Sequence, residues 1–248
     1  MSFSKSQYDQ PAFYSEYKQL DRSQVGLQAA GEWPSFQSML PSLQGKKCLD
    51  IGCGYGWHCL FAISQGAASV LGIDHSQNML QVAREKSRCL PLADQDRVHY
   101  LQLPMEQLTE VAGDAQFDVV ISSLALHYVA SFDQVAQQVA RLLKPGGHFC
   151  FSVEHPIYTA QGPQTWCKDD QGRKLHWPVD RYFDESARTS RFLGQDVIKY
   201  HKTTSTYVQT LLNTGFQLCH LIEPLPEDPD HPDRVRRPGM LLMSATKP

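Results

Sequence analysis

Apolar residues in this chain fall into two alternating patterns. Short continuous runs at Lys46 to Ile51, Ser69 to Ile73, Arg97 to Leu101, Phe117 to Ser122 and His148 to Val153 read as buried strands. Between them, Trp57 to Ser64, Ser76 to Ser87 and Phe132 to Leu143 carry apolar positions at helical spacing. Ser76 and Ser131 stand where N-caps belong, their hydroxyls placed to accept the orphan N–H groups of a first turn. Strand and helix patterns taken in turn predict a parallel sheet. A last helix is expected over Thr204 to Asn213, closed by Thr214-Gly215. Two strands then finish the chain, near Phe216 to Ile222 and Met240 to Ser244, joined by a proline-rich connector from Pro224 to Pro238.

The stretch from His155 to Thr203 does not belong to this alternation, because connections in compact α/β units need only a few residues. It reads as a cap. Within it, Ala187 to Phe192 and Val197 to His201 flank Leu193-Gly194-Gln195-Asp196, which predicts a two-stranded hairpin. Trp166, His176, Trp177, Tyr182 and Phe183 supply aromatic surface suited to enclosing an organic substrate, or to holding a loop-rich insertion together.

Composition narrows the class. A length of 248 residues suffices for one α/β domain with a full core. The formal net charge of -3, without long basic runs, disfavours nucleic acid as a partner. No apolar stretch approaches the length of a membrane span and the N-terminus lacks a signal region, so no membrane partner and a cytoplasmic protein are expected. Seven cysteines with no C-x-x-C pair fit a reducing compartment. Cys48, Cys53 and Cys59 read as small apolar fillers rather than metal ligands, and no metal is expected.

The run Lys47-Cys48-Leu49-Asp50-Ile51-Gly52-Cys53-Gly54-Tyr55-Gly56-Trp57 carries the most chemistry. An apolar strand that breaks into alternate glycines predicts a tight loop into a helix, with backbone exposed at the strand's carboxyl end. The next strand delivers Asp74 to the same edge, where a carboxylate can accept both hydroxyl protons of a ribose. A dinucleotide fingerprint, G-x-G-x-x-G, would need glycine where Trp57 stands; the spacing here is G-x-G-x-G. This loop resembles that of class I S-adenosylmethionine-dependent methyltransferases of the small-molecule, type 11-like kind, whose cofactor has no phosphate to cradle. Phe117-Asp118-Val119-Val120-Ile121-Ser122-Ser123-Leu124-Ala125-Leu126-His127-Tyr128 is similar to that family's fourth strand and following loop. Arg141-Leu142-Leu143-Lys144-Pro145-Gly146-Gly147-His148-Phe149 is similar to the turn before its fifth strand. The matches run in order over residues 45 to 155.

The resemblance implies an α/β, Rossmann-like, doubly wound fold: a mostly parallel seven-stranded sheet with an antiparallel last strand and a cap insertion after strand five. It implies a single methyltransferase domain, 1–248, made of an N-terminal cofactor-covering segment (1–44), a cofactor-binding core (45–154), a substrate cap (155–203) and a C-terminal helix and hairpin (204–248). The implied cofactor is S-adenosyl-L-methionine, with S-adenosyl-L-homocysteine as product. Asp74 would then hold the ribose, and Gly52 and Gly54 would let the backbone approach it. Asp50 would face the amino-acid end, directly or through water, or order its own loop. His75 and Met79 would border the adenine, the Met105 N–H would serve a ring nitrogen, and the Ser122 carbonyl would lie by the methionine ammonium. Relatives commonly place an Asp after the third strand for the adenine amino group. Here Pro104 takes that place, leaving Glu106 or Gln102 to supply the bond. Tyr17 and Arg22, in an aromatic N-terminal segment with Tyr8, Phe13 and Tyr14, would meet the sulfonium and the carboxylate, or belong to an amphipathic helix with an exposed Arg.

Methyl transfer from a sulfonium is an in-line displacement, so the protein mainly aligns the reactants and, where needed, removes a proton. His155, leaving the fifth strand in Glu154-His155-Pro156-Ile157-Tyr158, is the first candidate base, with His127 second, His201 third and Tyr158 as a nearby phenol. The loop after strand four lacks the Asp/Asn-Pro-Pro-aromatic and Pro-Cys signatures of base methylation, and no paired glutamates or metal constellation are evident. The expected reaction is therefore transfer to an O or N atom of a small molecule. A carboxylate acceptor would need no base. A NAD(P)-dependent oxidoreductase and a non-catalytic S-adenosylmethionine-binding protein are the alternatives.

Overall fold

The five apolar runs form adjacent parallel strands of one sheet in the computed structural model, which describes residues 6–226, 228 and 230–248. They are β1 (Lys47–Ile51), β2 (Ser69–Asp74), β3 (Val98–Gln102), β4 (Phe117–Ser123) and β5 (Leu143–Glu154). β6 (Gln217–Ile222) and β7 (Met240–Thr246) complete a seven-stranded sheet in the order β6-β7-β5-β4-β1-β2-β3. β7 lies antiparallel to both of its neighbours and every other pair is parallel. The order reverses between β1 and β4, the point at which α/β sheets open a crevice at their carboxyl ends.

Residues of the central strands alternate between two buried faces, as the period of two requires. On one face Cys48, Val70, Val119, Ile121, Cys150 and Leu242 pack with α2 (Trp33–Met39), α3 (Trp57–Ser64) and α4 (Gln77–Ser87). The buried thiols of Cys48 and Cys59 fill this layer and form no disulfide. On the other face Leu49, Val120, Phe149, Phe151 and Met243 pack with α5 (Phe132–Leu142) and α6 (Thr204–Asn213). Ser76 and Ser131 cap α4 and α5 by accepting from the N–H groups of Met79 and Gln134. α1 (Pro11–Tyr17) lies in the N-terminal segment, whose first residues, 1–5, fall outside the described ones.

Two boundaries differ from the sequence reading. β5 begins at Leu143, because Leu143 already pairs with Phe117 before the register shifts at the glycine turn. In the cap, the hairpin strands Ala187–Phe192 and Gln195–Tyr200 pair up to Phe192 and Gln195, so the turn is only Leu193-Gly194. Both turn residues have positive φ, 51° and 73°, the conformation that matches the twist of the flanking strands. A second small hairpin, Cys167–Lys168 with Lys174–His176, was not evident from the residue pattern.

Phe151 lies fully buried in the larger cluster, 5.4 Å from the Phe132 ring and 4.8 Å from that of Phe149. Phe151→Ala is expected to destabilise the fold by about 3–5 kcal/mol, read from the midpoint of denaturant unfolding with an unchanged slope.

Candidate cofactor and substrate site

At the carboxyl edge of the sheet, the chain leaving β1 turns through Gly52 and Gly54 at φ of 70° and 52°. A Cβ on Gly52 would stand 2.5 Å from that of Ala125, so glycine is required by packing as well as by conformation. A Cβ on Gly54 would meet nothing within 4 Å, because it opens into a cavity of about 510 Å3. Two consecutive N–H groups, of Gly52 and Cys53, donate to the Ile73 carbonyl at 2.9 Å each and fix the loop to the end of β2.

Asp74 sits at the centre of the arrangement. Its Oδ2 accepts from the Gly54 N–H and its Oδ1 from the Ser76 N–H, both at 2.8 Å. Burial raises its pKa, while the two N–H donors pull it back toward the ionised form. Each oxygen keeps a lone pair, enough for two ribose hydroxyls. Asp9 was not singled out from the sequence, yet it locks this corner. Its Oδ1 accepts from the Ser76 hydroxyl at 2.6 Å and the Asn78 N–H at 3.0 Å, and its Oδ2 from the Gln77 N–H at 3.3 Å. The carboxylate thus closes the N-terminus of α4 and brings the N-terminal segment over the cavity.

Tyr17, Arg22, Gly52, Gly54, Asp74, His75, Met79, Met105 and Glu106 all line this cavity, as does His127. Glu106 rather than Gln102 faces it, the Gln102 amide being spent on the His75 carbonyl at 3.1 Å. Arg22 is held there by Glu32 at 3.2 Å, an ion pair that the Ser123 hydroxyl joins at 3.3 Å. Tyr8 donates its hydroxyl to that of Tyr128 at 3.2 Å and meets Tyr17 edge to face at 5.3 Å, giving the cavity an aromatic wall.

Five candidates stand elsewhere. Asp50 is buried behind the glycine loop; its Oδ2 accepts from the Cys59 thiol at 3.4 Å and its Oδ1 has no partner among the described residues. Burial pushes its pKa up to about 7. Ser122 is buried with its hydroxyl on the Ile51 carbonyl, and Ser123, Leu124 and Ala125 border the cavity instead. His155 is not on the cavity wall: its Nδ1 accepts from the Ile157 N–H at 3.0 Å and its Nε2 lies 2.6 Å from Glu223, so it caps the short helix Pro156–Thr159 and ties it to the connector. Tyr158 stacks on Trp177 with ring centroids 5.0 Å apart, on a different surface. His201 is likewise spent within the cap, on the Thr159 hydroxyl and the Tyr182 carbonyl.

The acceptor half of the cavity is built from residues with no strong local signature. Glu154 ends β5 on the wall, its oxygens taken by Lys199 at 2.6 Å and Gln164 at 2.8 Å. Burial alone would raise its pKa; the neighbouring His127 and Lys199 turn the balance, and it is held below the usual carboxylate value. Phe192, Ile198 and Tyr200 reach in from the cap hairpin. His127, buried beside Glu154, has its pKa pushed down to about 4, chiefly by burial. Its Nδ1 accepts from the Glu154 N–H at 3.4 Å, which leaves the proton of the neutral ring on Nε2.

Comparison with known proteins agrees with this geometry. The family description "Methyltransferase domain" matches residues 49–151. A crystal structure from Listeria monocytogenes, assigned as an S-adenosylmethionine dependent methyltransferase, is 52% identical, covering 89% of this chain and 99% of that one with a TM-score of 0.80. Another such methyltransferase, from Mesorhizobium loti, is 38% identical over 90% of this chain and 100% of its own, with a TM-score of 0.79. The ubiquinone biosynthesis O-methyltransferase of Bordetella avium is 38% identical over 49% of this chain, which spans 47% of that relative's length.

The residues present fit S-adenosylmethionine: the cavity reaches bare backbone at Gly54, and Asp74 retains lone pairs for a ribose. Asp74→Ala is expected to weaken binding of S-adenosylmethionine and S-adenosylhomocysteine roughly a hundredfold by calorimetry, the loss of two hydrogen bonds to a charged acceptor. NAD should bind neither protein.

Proposed function

This chain belongs to the class I S-adenosylmethionine-dependent methyltransferases, and from that premise we propose that it methylates an O or N atom of a small organic molecule held under the 155–203 cap, in the cytoplasm. The observation that carries this reading is the acceptor half: a cavity of about 510 Å3, bordered by Phe192, Ile198 and Tyr200 from the cap and by Tyr8, Tyr128, His127 and Glu154, has the size and aromatic lining of a small-molecule site. The likeness to an O-methyltransferase of quinone synthesis over half of each chain supports a small acceptor.

S-adenosylmethionine, when bound, supplies an electrophilic methyl on a sulfonium. The chain's own residues orient and exclude. Asp74 fixes the ribose end, Arg22 meets the carboxylate end, and the tyrosine wall offers ring faces to positive charge. The cap hairpin covers part of the cavity, and His127, with the proton of its neutral ring on Nε2, would offer the acceptor a neutral donor. Four side chains of the acceptor half are shifted away from a general base near neutral pH: the pKa values of His127 and Glu154 are lowered, and those of Tyr8 and Tyr128 are raised, through burial except at Glu154, where His127 and Lys199 outweigh it. The acceptor this suits attacks without prior help, a carboxylate oxygen or an unprotonated nitrogen. His127 therefore positions, and His155 takes no part in proton transfer.

His127→Asn is expected to lower kcat/KM for methyl transfer about tenfold, the worth of one buried hydrogen bond, with S-adenosylhomocysteine binding unchanged. Because His127 loses its proton as pH rises through about 4, it is neutral from pH 5 upward and contributes no limb near its ordinary value. Release of S-adenosylhomocysteine, followed across pH with a panel of organic acids, phenols and amines, tests both statements. A limb near pH 6.5 that vanishes in His127→Asn would make it the base instead.

A further inference from the structure

A second pocket of about 430 Å3 opens on the far side of the cap, between the small hairpin Cys167–Lys168/Lys174–His176 and the proline-rich connector. It shares no lining residue with the methyl-transfer cavity. Trp166 and Trp177 meet in it at 81°, forming a right-angled aromatic corner, and Tyr158 stacks behind Trp177. Two arginines lie over these rings: Arg236 is 4.4 Å from the Trp166 centroid, and Arg237 is 4.2 Å from that of Trp177 and 4.4 Å from that of Tyr158.

The two guanidinium groups differ in what they have left to give. Arg236 donates to the carbonyls of Lys174 and Leu175, at 3.2 and 2.8 Å, and so fastens the connector to the cap. Among the described residues Arg237 makes only a long bond, 3.4 Å, to the Pro238 carbonyl, and its buried Nε has no partner. Among the described residues no carboxylate forms an ion pair with it, the nearby Asp233 being paired to Lys174 at 2.5 Å. A half-buried cation with a spare planar fork, set on aromatic faces and bordered by Ile157, Leu175 and Val179, is complementary to a flat apolar body ending in an anion.

We propose that this pocket binds a planar organic anion, an aromatic or conjugated carboxylate, at a site separate from methyl transfer: the ring lies in the Trp166–Trp177 corner and the carboxylate on Arg237. A mere structural staple would leave no donor of Arg237 orphaned, and a bare phosphate would not use the aromatic corner.

Trp166 and Trp177 make intrinsic fluorescence the readout. Benzoate titrated into the full chain is expected to quench it saturably, with affinity about tenfold above that of benzamide, which lacks the charge, and of inorganic phosphate, which lacks the plane. Arg237→Gln should weaken benzoate about tenfold or more, and Arg237→Lys should recover only part, because it keeps the charge and loses the fork. Val179 borders the pocket and is 48% exposed, so Val179→Glu sets a negative charge beside the site outside the core and should weaken benzoate even if Arg237→Gln fails to fold. Asp74→Ala and saturating S-adenosylhomocysteine should leave the response intact, which separates this site from the cofactor reading. The proposal is overturned by absence of saturable quenching, by equal affinity for phosphate or benzamide, by displacement with S-adenosylhomocysteine, or by indifference to both Arg237→Gln and Val179→Glu.

Discussion

The buried carboxylate of Asp74 sets the terms for the rest of the site. Taking a carboxylate out of water costs several kcal/mol unless donors replace the lost solvation. Here the donors are the Gly54 and Ser76 N–H groups, which belong to the loops after two adjacent strands. Satisfying one side chain therefore fixes the glycine loop against the start of α4. Ser76 extends the unit, since its hydroxyl both caps α4 and donates to Asp9. Glycine loop, helix start and N-terminal cover are one hydrogen-bonded assembly, and ribose hydroxyls would enter it as additional donors to a carboxylate already in position.

This is why the cofactor half was legible in the sequence and the acceptor half was not. Glycines at positive φ, an Asp at a strand end and Ser caps are local solutions to local backbone problems, so their spacing survives in one dimension. Asp9 solves the same kind of problem from a distant part of the chain, and its residue type alone does not say which helix it closes. The acceptor half depends on such meetings throughout: Phe192, Ile198 and Tyr200 arrive from the cap, and Glu154 takes its geometry from Lys199 and Gln164.

Glu154 and His155 show the difficulty in two adjacent residues. Successive side chains at a strand end point to opposite sides. Chemical reputation selects the imidazole, while the alternation sends Glu154 to the cavity and His155 toward Glu223 on the connector. The order of residues cannot decide between the two faces until the position of the last strand is known. The cap carries the same lesson, for its buried cations look like surface residues in the sequence. Arg188 is buried because the carbonyls of Ala160, Arg181 and Asp184 receive its N–H groups, and Lys199 because Glu154 and Gln164 receive its ammonium. The Arg188 bonds hold the insertion together, and the Lys199–Glu154 bond ties it to β5.

Two charges at the main cavity are paired, Arg22 with Glu32 and Glu154 with Lys199, whereas Asp74 is held by N–H donors alone. Paired charges exert weak fields at a distance, so the acceptor half offers aromatic surface, a neutral imidazole donor and little net electrostatic attraction. Inside such a low-dielectric enclosure, opposite charges brought together interact far more strongly than in water. A step in which a cation and an anion become two neutral products is then favoured, because the poorly solvated charges present before it are gone after it. Under the proposed methyl transfer, such an enclosure would reward an acceptor that carries its own negative charge to the methyl group and would ask no side chain for a base. On that reading the lowered pKa of His127 and the pairing of Glu154 with Lys199 are two aspects of one arrangement, and both follow from the burial of these groups between β5 and the cap.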